Sequence, residues 1–237
     1  WHDNTAKTFL GVNLPAGGGI NDGLMALDML ATDPATANFI SKKLCRRFWS
    51  YDPPQSLVDA VSATYMATGG DIKSMLRTLF TTLDPASAAP KHKRPYHFTV
   101  SAMRSTGVEL SPVPWSSGTE LEARLLNAGH LPFNHAPPDG YPDRLEAWAG
   151  LMLPRWNIAA ELMNNGITHL TVNISALLQG ATTGAAVADR IDQALFGGQM
   201  PSNEKSVILG YLGANPNSTT SAEAVALALS APSYQWY

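Results

Sequence analysis

Helix punctuation constrains this chain more than any other feature of its sequence. In "DPATANFISKKLCRRFW", Asp33 stands where a cap belongs and Pro34 takes the first helical position, where its missing N–H costs nothing. Ala37, Ile40, Leu44 and Phe48 then recur at three- and four-residue steps with Cys45 and Trp49 beside them, while Lys42, Lys43, Arg46 and Arg47 gather elsewhere on the cylinder. The device repeats in "DPPQSLVDAVSATYMATGG", with Asp52 as the expected cap, Gln55 completing a capping box and Gly69-Gly70 as the stop. "DIKSMLRTLFTTLDP" follows, with Ile72, Met75, Leu76, Leu79 and Phe80 on one face. Three amphipathic helices joined by short turns predict an antiparallel bundle, and a fourth helix is expected through "YHFTVSAMRSTG".

Proline-rich seams divide this pattern. "DPASAAPKHKRP" (84–95) and "GVELSPVPWSSGT" (107–119) break the helical period, which suggests an N-terminal helical subdomain over 1–106, a connector over 107–119 and a C-terminal helical subdomain over 120–237, or one continuous domain. Thr119 and Glu122 read as a capping box for the helix after the connector, and Thr220 and Glu223 as another near the C-terminus. Further helices are expected at "RLEAWAGLMLPRWNIAAELMNNG", with a step at Pro154, and at "ISALLQG", "AAVADRIDQALFG" and "NEKSVILGYLG". "THLTVN" alternates like a strand but has no evident partner, so it reads as an extended linker. The expected class is all-α, a multi-helix orthogonal or antiparallel bundle with long Pro-rich loops.

Charge and cysteine content narrow the function. Sixteen basic against nineteen acidic side chains leave net −3, which gives no general attraction to nucleic acid or to anionic membrane. Cys45 is the single cysteine, so an internal disulfide and a cysteine-rich zinc site are excluded. No apolar run approaches the ~20 residues of a membrane span. The first residue, Trp1, suggests a processed chain or a fragment.

Around "PATANFISKKLCRRFWSYDPP" the chain resembles the bacterial family known as domain of unknown function 1800, in its C-terminal portion. "HDNTAKTFLG", "PAGGGINDG", "ALDMLATDP", "LPFNHAPPDGYPD", "LPRWNIAAELM" and "ALALSAPSYQWY" extend the resemblance over nearly the whole chain. Asp33 departs from it, because members commonly carry histidine there. The resemblance implies an exported protein of the bacterial periplasm, cell surface or medium. It implies no particular reaction.

Catalytic motifs are sparse. "GGGINDG" lacks the spacing of a dinucleotide or phosphate loop, and neither a nucleophile elbow nor His-Glu-x-x-His occurs. Ser202 and Lys205 match Ser-x-x-Lys, but Pro201-Ser202 is also an ordinary helix start. In "WHDNTAK", His2 beside Asp3 and Lys7 has the makings of a general base, against the simpler reading of solvated polar residues near a terminus. Lys43 and Arg47, in the four-cation cluster, suit an acidic ligand or a structural pair with Asp28, against the simpler reading of a solvated face. "KHKR" (91–94) is open in the same way between an acidic ligand and a short solvated linker, with the linker the plainer reading, and Asn173 and Asn217 match the N-glycosylation acceptor pattern.

The densest candidate is "HLPFNHAPPDGYPD", residues 130–143. Asp139 and Asp143 are the acid/base candidates, with Tyr141, Trp148, Arg155 and Trp156 as pocket-lining residues for a glycan or ester. His130 and His135 could join them on a zinc or manganese ion. The plainer reading makes the loop a rigid corner in which prolines stiffen the backbone and Phe133, Tyr141 and Trp148 anchor it. The leading expectation is a helical module that binds a protein partner or polysaccharide without a cofactor; a hydrolase using the loop carboxylates and a metal-dependent enzyme are the alternatives. Oligomeric state is left open.

Overall fold

The computed structural model describes residues 2–112 and 120–237, and it is predominantly helical, with two very small antiparallel strand pairs among those residues. The chain divides into Trp1–Ala89 and Pro90–Tyr237, within the first proline-rich seam; residues 90–106 therefore lie in the second unit.

The first unit opens with a hairpin of β1 (Lys7–Phe9) and β2 (Val12–Leu14), in register Lys7↔Leu14 and Phe9↔Val12. Leu10 and Gly11 both take positive φ in its two-residue turn, the combination whose twist matches that of paired strands. Four helices follow: α1 (Ile20–Thr32), α2 (Pro34–Phe48), α3 (Gln55–Thr68) and α4 (Ile72–Thr82). Asp33 caps α2 by accepting from the Ala35 N–H at 2.7 Å, and Asp71 caps α4 through Ser74. The glycine stop also forms, since Gly69 is left-handed and its neighbour Gly70 donates to Tyr65 O. The capping box at Asp52 does not, because α3 starts after Pro54 and Gln55 instead donates to Asp59, one helical turn on. Cys45, Trp49, Leu57, Val58, Val61, Met75 and Leu79 form the core of this unit.

The second unit contains α5 (Pro95–Ser105), β3 (Glu109–Leu110), α6 (Glu120–Asn127), α7 (Met152–Met163), β4 (Leu170–Thr171), α8 (Ile174–Leu178), α9 (Gly184–Phe196), α10 (Ser202–Leu212) and α11 (Ser218–Leu229). Alanine-rich α11 is the hub. Its Ala222, Ala224, Val225, Ala228 and Leu229 are buried, and their small size lets α7, α8, α9 and α10 all pack around it.

Several sequence expectations need correction. "THLTVN" does find a partner, because Leu170 pairs with Leu110 and Thr171 with Glu109 across ~60 residues of chain. The helix expected from Arg144 breaks after a short 3₁₀ turn at Leu145–Ala147 and restarts at Met152, so Pro154 lies in the first turn of α7, where no N–H is needed. Asn173 and Asn217 cap α8 and α11 by accepting from the N–H groups of Ala176 and Thr220. The Thr220–Glu223 box is therefore replaced by Asn217, while the Thr119 box lies outside the described residues. "KHKR" is no solvated linker: Lys91, His92 and Lys93 are buried, and the segment pairs with the chain's end through Lys91 N→Tyr237 O, Tyr237 N→Lys91 O and Lys93 N→Gln235 O.

Candidate functional site

The 130–143 loop is built as an aromatic corner. The His130 ring lies 4.6 Å from Tyr141 and 4.9 Å from Trp148, centroid to centroid. The polar tips of both aromatics are consumed by the loop itself, since Tyr141 Oη donates to Leu131 O and Trp148 Nε1 to Pro142 O. His130 Nδ1 reaches outside the loop and accepts the N–H of Tyr96 at 3.2 Å. Tyr96 is the second residue of α5, whose own N-cap Arg94 supplies no side-chain acceptor, so His130 caps α5 across 34 residues of sequence. Burial holds its imidazole at about 4, with help from the Arg94 cation. A proton on Nδ1 would put a donor against a donor. His130 is thus a neutral acceptor that locks a corner.

Nor do the other loop groups converge. Asp139 is 81% exposed and its partner is His135 at 3.4 Å, whereas Asp143 is held by Lys91 at 2.9 Å. Each carboxylate answers to a different side chain, which is not the arrangement of an acid and a base sharing one bond. Phe133, expected as an anchor, is fully exposed and has φ of 63°. Among the described residues no three His, Cys, Asp or Glu side chains gather in a way that could hold a metal, so His130 and His135 form no such set.

Arg155, expected to line a pocket, is completely buried and lies within reach of Lys93 O (2.5 Å), Gln235 Oε1 (3.3 Å) and His92 Nδ1 (3.5 Å). It ties the buried 91–93 segment to the C-terminal end. Burial and this guanidinium hold His92 at about 4 and Lys93 at about 8. Lys93 Nζ meanwhile sits 3.7 Å above the Tyr234 ring, which partly repays its desolvation. The cluster is a charged core device.

In the first unit, His2 does not work with Asp3. Its Nε2 contacts Asp22 Oδ2 at 3.1 Å, the same oxygen to which Lys7 donates at 2.6 Å. That Lys7 hydrogen bond holds the Asp22 carboxyl below its usual range. Gly18 packs so closely that a Cβ there would lie 1.9 Å from Asp22 Oδ1. Lysine neutralises the carboxylate, so this is a clasp that holds the N-terminal segment to α1. Lys43 and Arg47 are exposed on α2; Lys43 lies over the Phe39 ring at 4.8 Å, and no ion pair with Asp28 forms among the described residues. The Ser202–Lys205 pair is likewise structural, because Lys205 bridges Asp189 and Asp192 at 2.8 and 2.9 Å.

A concave feature of the second unit lies elsewhere. A groove of about 800 Å³ runs between α7, α10 and α11. Trp156, 46% exposed on α7, is the one of the pocket-lining candidates from the sequence that reaches it; Val207, Tyr211 and Leu227 form other apolar walls. Its titratable lining groups are engaged, with Glu223 accepting from Tyr211 Oη at 2.7 Å and Glu204 accepting from the Ser233 N–H and hydroxyl. Sequence reasoning missed this groove, although "SVILGYL" carried the signal: apolar residues surround α10, more than one buried face requires.

A family model described as "Protein of unknown function (DUF1800)" matches residues 1–236. The chain belongs to that family. No curated protein and no solved structure matches it. In this DUF1800 chain, Asp33 has the structural role of capping α2. No helix among the described residues is long and apolar enough to cross a membrane.

Proposed function

We propose that this chain is an exported helical module that acts by binding, with a protein partner favoured over an envelope polymer, and that it performs no chemistry of its own. The groove between α7, α10 and α11 carries this reading: it is open and mostly apolar, and its titratable groups are already committed to hydrogen bonds. Partner surfaces are built this way, whereas a hydrolase needs an acid and a base that converge on a reacting atom. Export rests on the family resemblance.

A hydrolase using Asp139 and Asp143 is supported only by composition, since each carboxylate is held by a separate partner, His135 and Lys91. The test is to incubate the purified chain with glycan and ester panels beside Asp139→Asn and Asp143→Asn. The expected result is turnover at the blank rate for all three proteins. Turnover by the parent chain that disappears in either variant would sink the binding-only reading.

A further inference from the structure

The lining of the groove specifies what fits it. On α7 the lining residues are Leu153, Trp156, Asn157 and Ala160; on α10 they are Glu204, Val207, Ile208 and Tyr211; on α11 they are Glu223, Ala226 and Leu227, continued by its C-cap Ser230. Each set begins with steps of three, one and three residues, which is one stripe along a helix. Three helical stripes therefore face one space. α11 packs against both α7 and α10, while α7 and α10 do not pack extensively against each other. Such a space is the position of a missing fourth helix in a bundle.

Size and charge agree with that occupant. A helix ~10 Å across fills roughly 420 Å³ per turn, so about 800 Å³ holds two turns enclosed or about four half-embedded. The eleven residues of α10 span ~16 Å, or three turns. Leu153 and Val207 on the walls are 64% and 61% exposed, available for burial. Among the described residues, Glu204 and Glu223 are the only charged ones that line the groove, and no Lys, Arg or His lines it. Each carboxylate has acceptor capacity beyond the bonds it already makes.

We infer that the groove receives an amphipathic helix of about three turns from a partner protein, carrying an apolar stripe at i, i+3/i+4 and i+7 flanked by Lys or Arg. This deepens the binding reading and rests on it. Burying the stripe supplies the affinity, and the two glutamates select against acidic partners by repulsion.

The test titrates the full chain with three labelled 14-residue peptides, followed by fluorescence anisotropy. One is a Leu-striped helix with Lys flanks, the second has Glu flanks, and the third has the Lys composition with the stripe scrambled. The Lys-flanked helix should bind at least tenfold tighter than either of the others. Val207→Lys, at an exposed position that leaves the fold intact, should weaken it at least tenfold; Glu223→Gln should weaken it several-fold and flatten its salt dependence. Equal or tighter binding of the Glu-flanked helix, still blocked by Val207→Lys, overturns the cationic class while the binding reading survives. No binding by any peptide overturns the inference, and with Val207→Lys also neutral toward envelope polymer it removes the binding reading as well. Concentration-dependent dimerisation abolished by Val207→Lys would make the occupant a second copy and overturn the partner-helix assignment.

Discussion

Acidification below pH 7 should destabilise the second unit, with His130 as a principal cause. In the folded chain the imidazole is held at about 4, against an ordinary value of 6.5. A folded-state value below the unfolded one means that the unfolded chain takes the proton first. Stability is therefore full above about 6.5 and falls as pH drops, until the folded form itself protonates near 4. Each pH unit across that interval is worth ~1.4 kcal/mol at most, so going from pH 7 to 5 removes about 2 kcal/mol for this one residue. His92, held at the same level by burial and Arg155, adds a comparable loss, and the sum approaches ~4 kcal/mol against the ~5–15 kcal/mol of a typical domain. The assay is urea unfolding at half-unit pH steps, read by tryptophan fluorescence, with Trp148 next to the ring as a local reporter. His130→Asn keeps an acceptor close to the position of Nδ1 but cannot titrate. It should be less stable than the parent at pH 7, through lost contact with Tyr141 and Trp148, and the gap should narrow by about 2 kcal/mol by pH 5. Parallel curves for parent and variant over that range, or a parent that gains stability on acidification, would refute the assignment of a neutral buried imidazole.

Other substitutions test separate parts of the structure. Gly18→Ala places a methyl group on Asp22 and should lower the melting temperature of the first unit, at a cost of ~1–3 kcal/mol, with amide exchange accelerating around Lys7. Phe133→Asn relieves a left-handed backbone at a fully exposed side chain and should stabilise by up to ~1 kcal/mol in thermal melts; a loss of stability would mean that Phe133 packs on something. Lys205→Met leaves the buried Asp192 with only the Met200 N–H and should cost about 2 kcal/mol in denaturant midpoint, much of it recovered in Lys205→Met/Asp192→Asn. Asn217→Ala removes the cap of the central helix α11 and should cost ~1 kcal/mol.

What the sequence made legible was local. Asp33-Pro34 and Gly69-Gly70 punctuate helices through contacts within five residues, so spacing alone located α2 and the end of α3. Where the decisive partner is distant, the pattern misled. Lys91 to Lys93 look solvated until the chain's last residues pair with them, and the alternation in "THLTVN" stays unpartnered until Glu109 and Leu110 arrive. The first hairpin went unnoticed because three-residue strands are too short to show a period. His130 drew attention as an imidazole beside carboxylates, whereas its use is to cap α5 from another segment, which no local motif encodes. Polar crowding marked the loop and apolar excess marked the groove; only the first resembles chemistry in a linear reading.

The most direct test of the central claim is amide hydrogen exchange on the full chain with and without the Lys-flanked helical peptide. Added protection should be confined to α7, α10 and α11, around Trp156, Val207 and Leu227. Protection centred instead on residues 130–148, with α10 unchanged, would contradict the groove as the binding site and return the aromatic corner to that role.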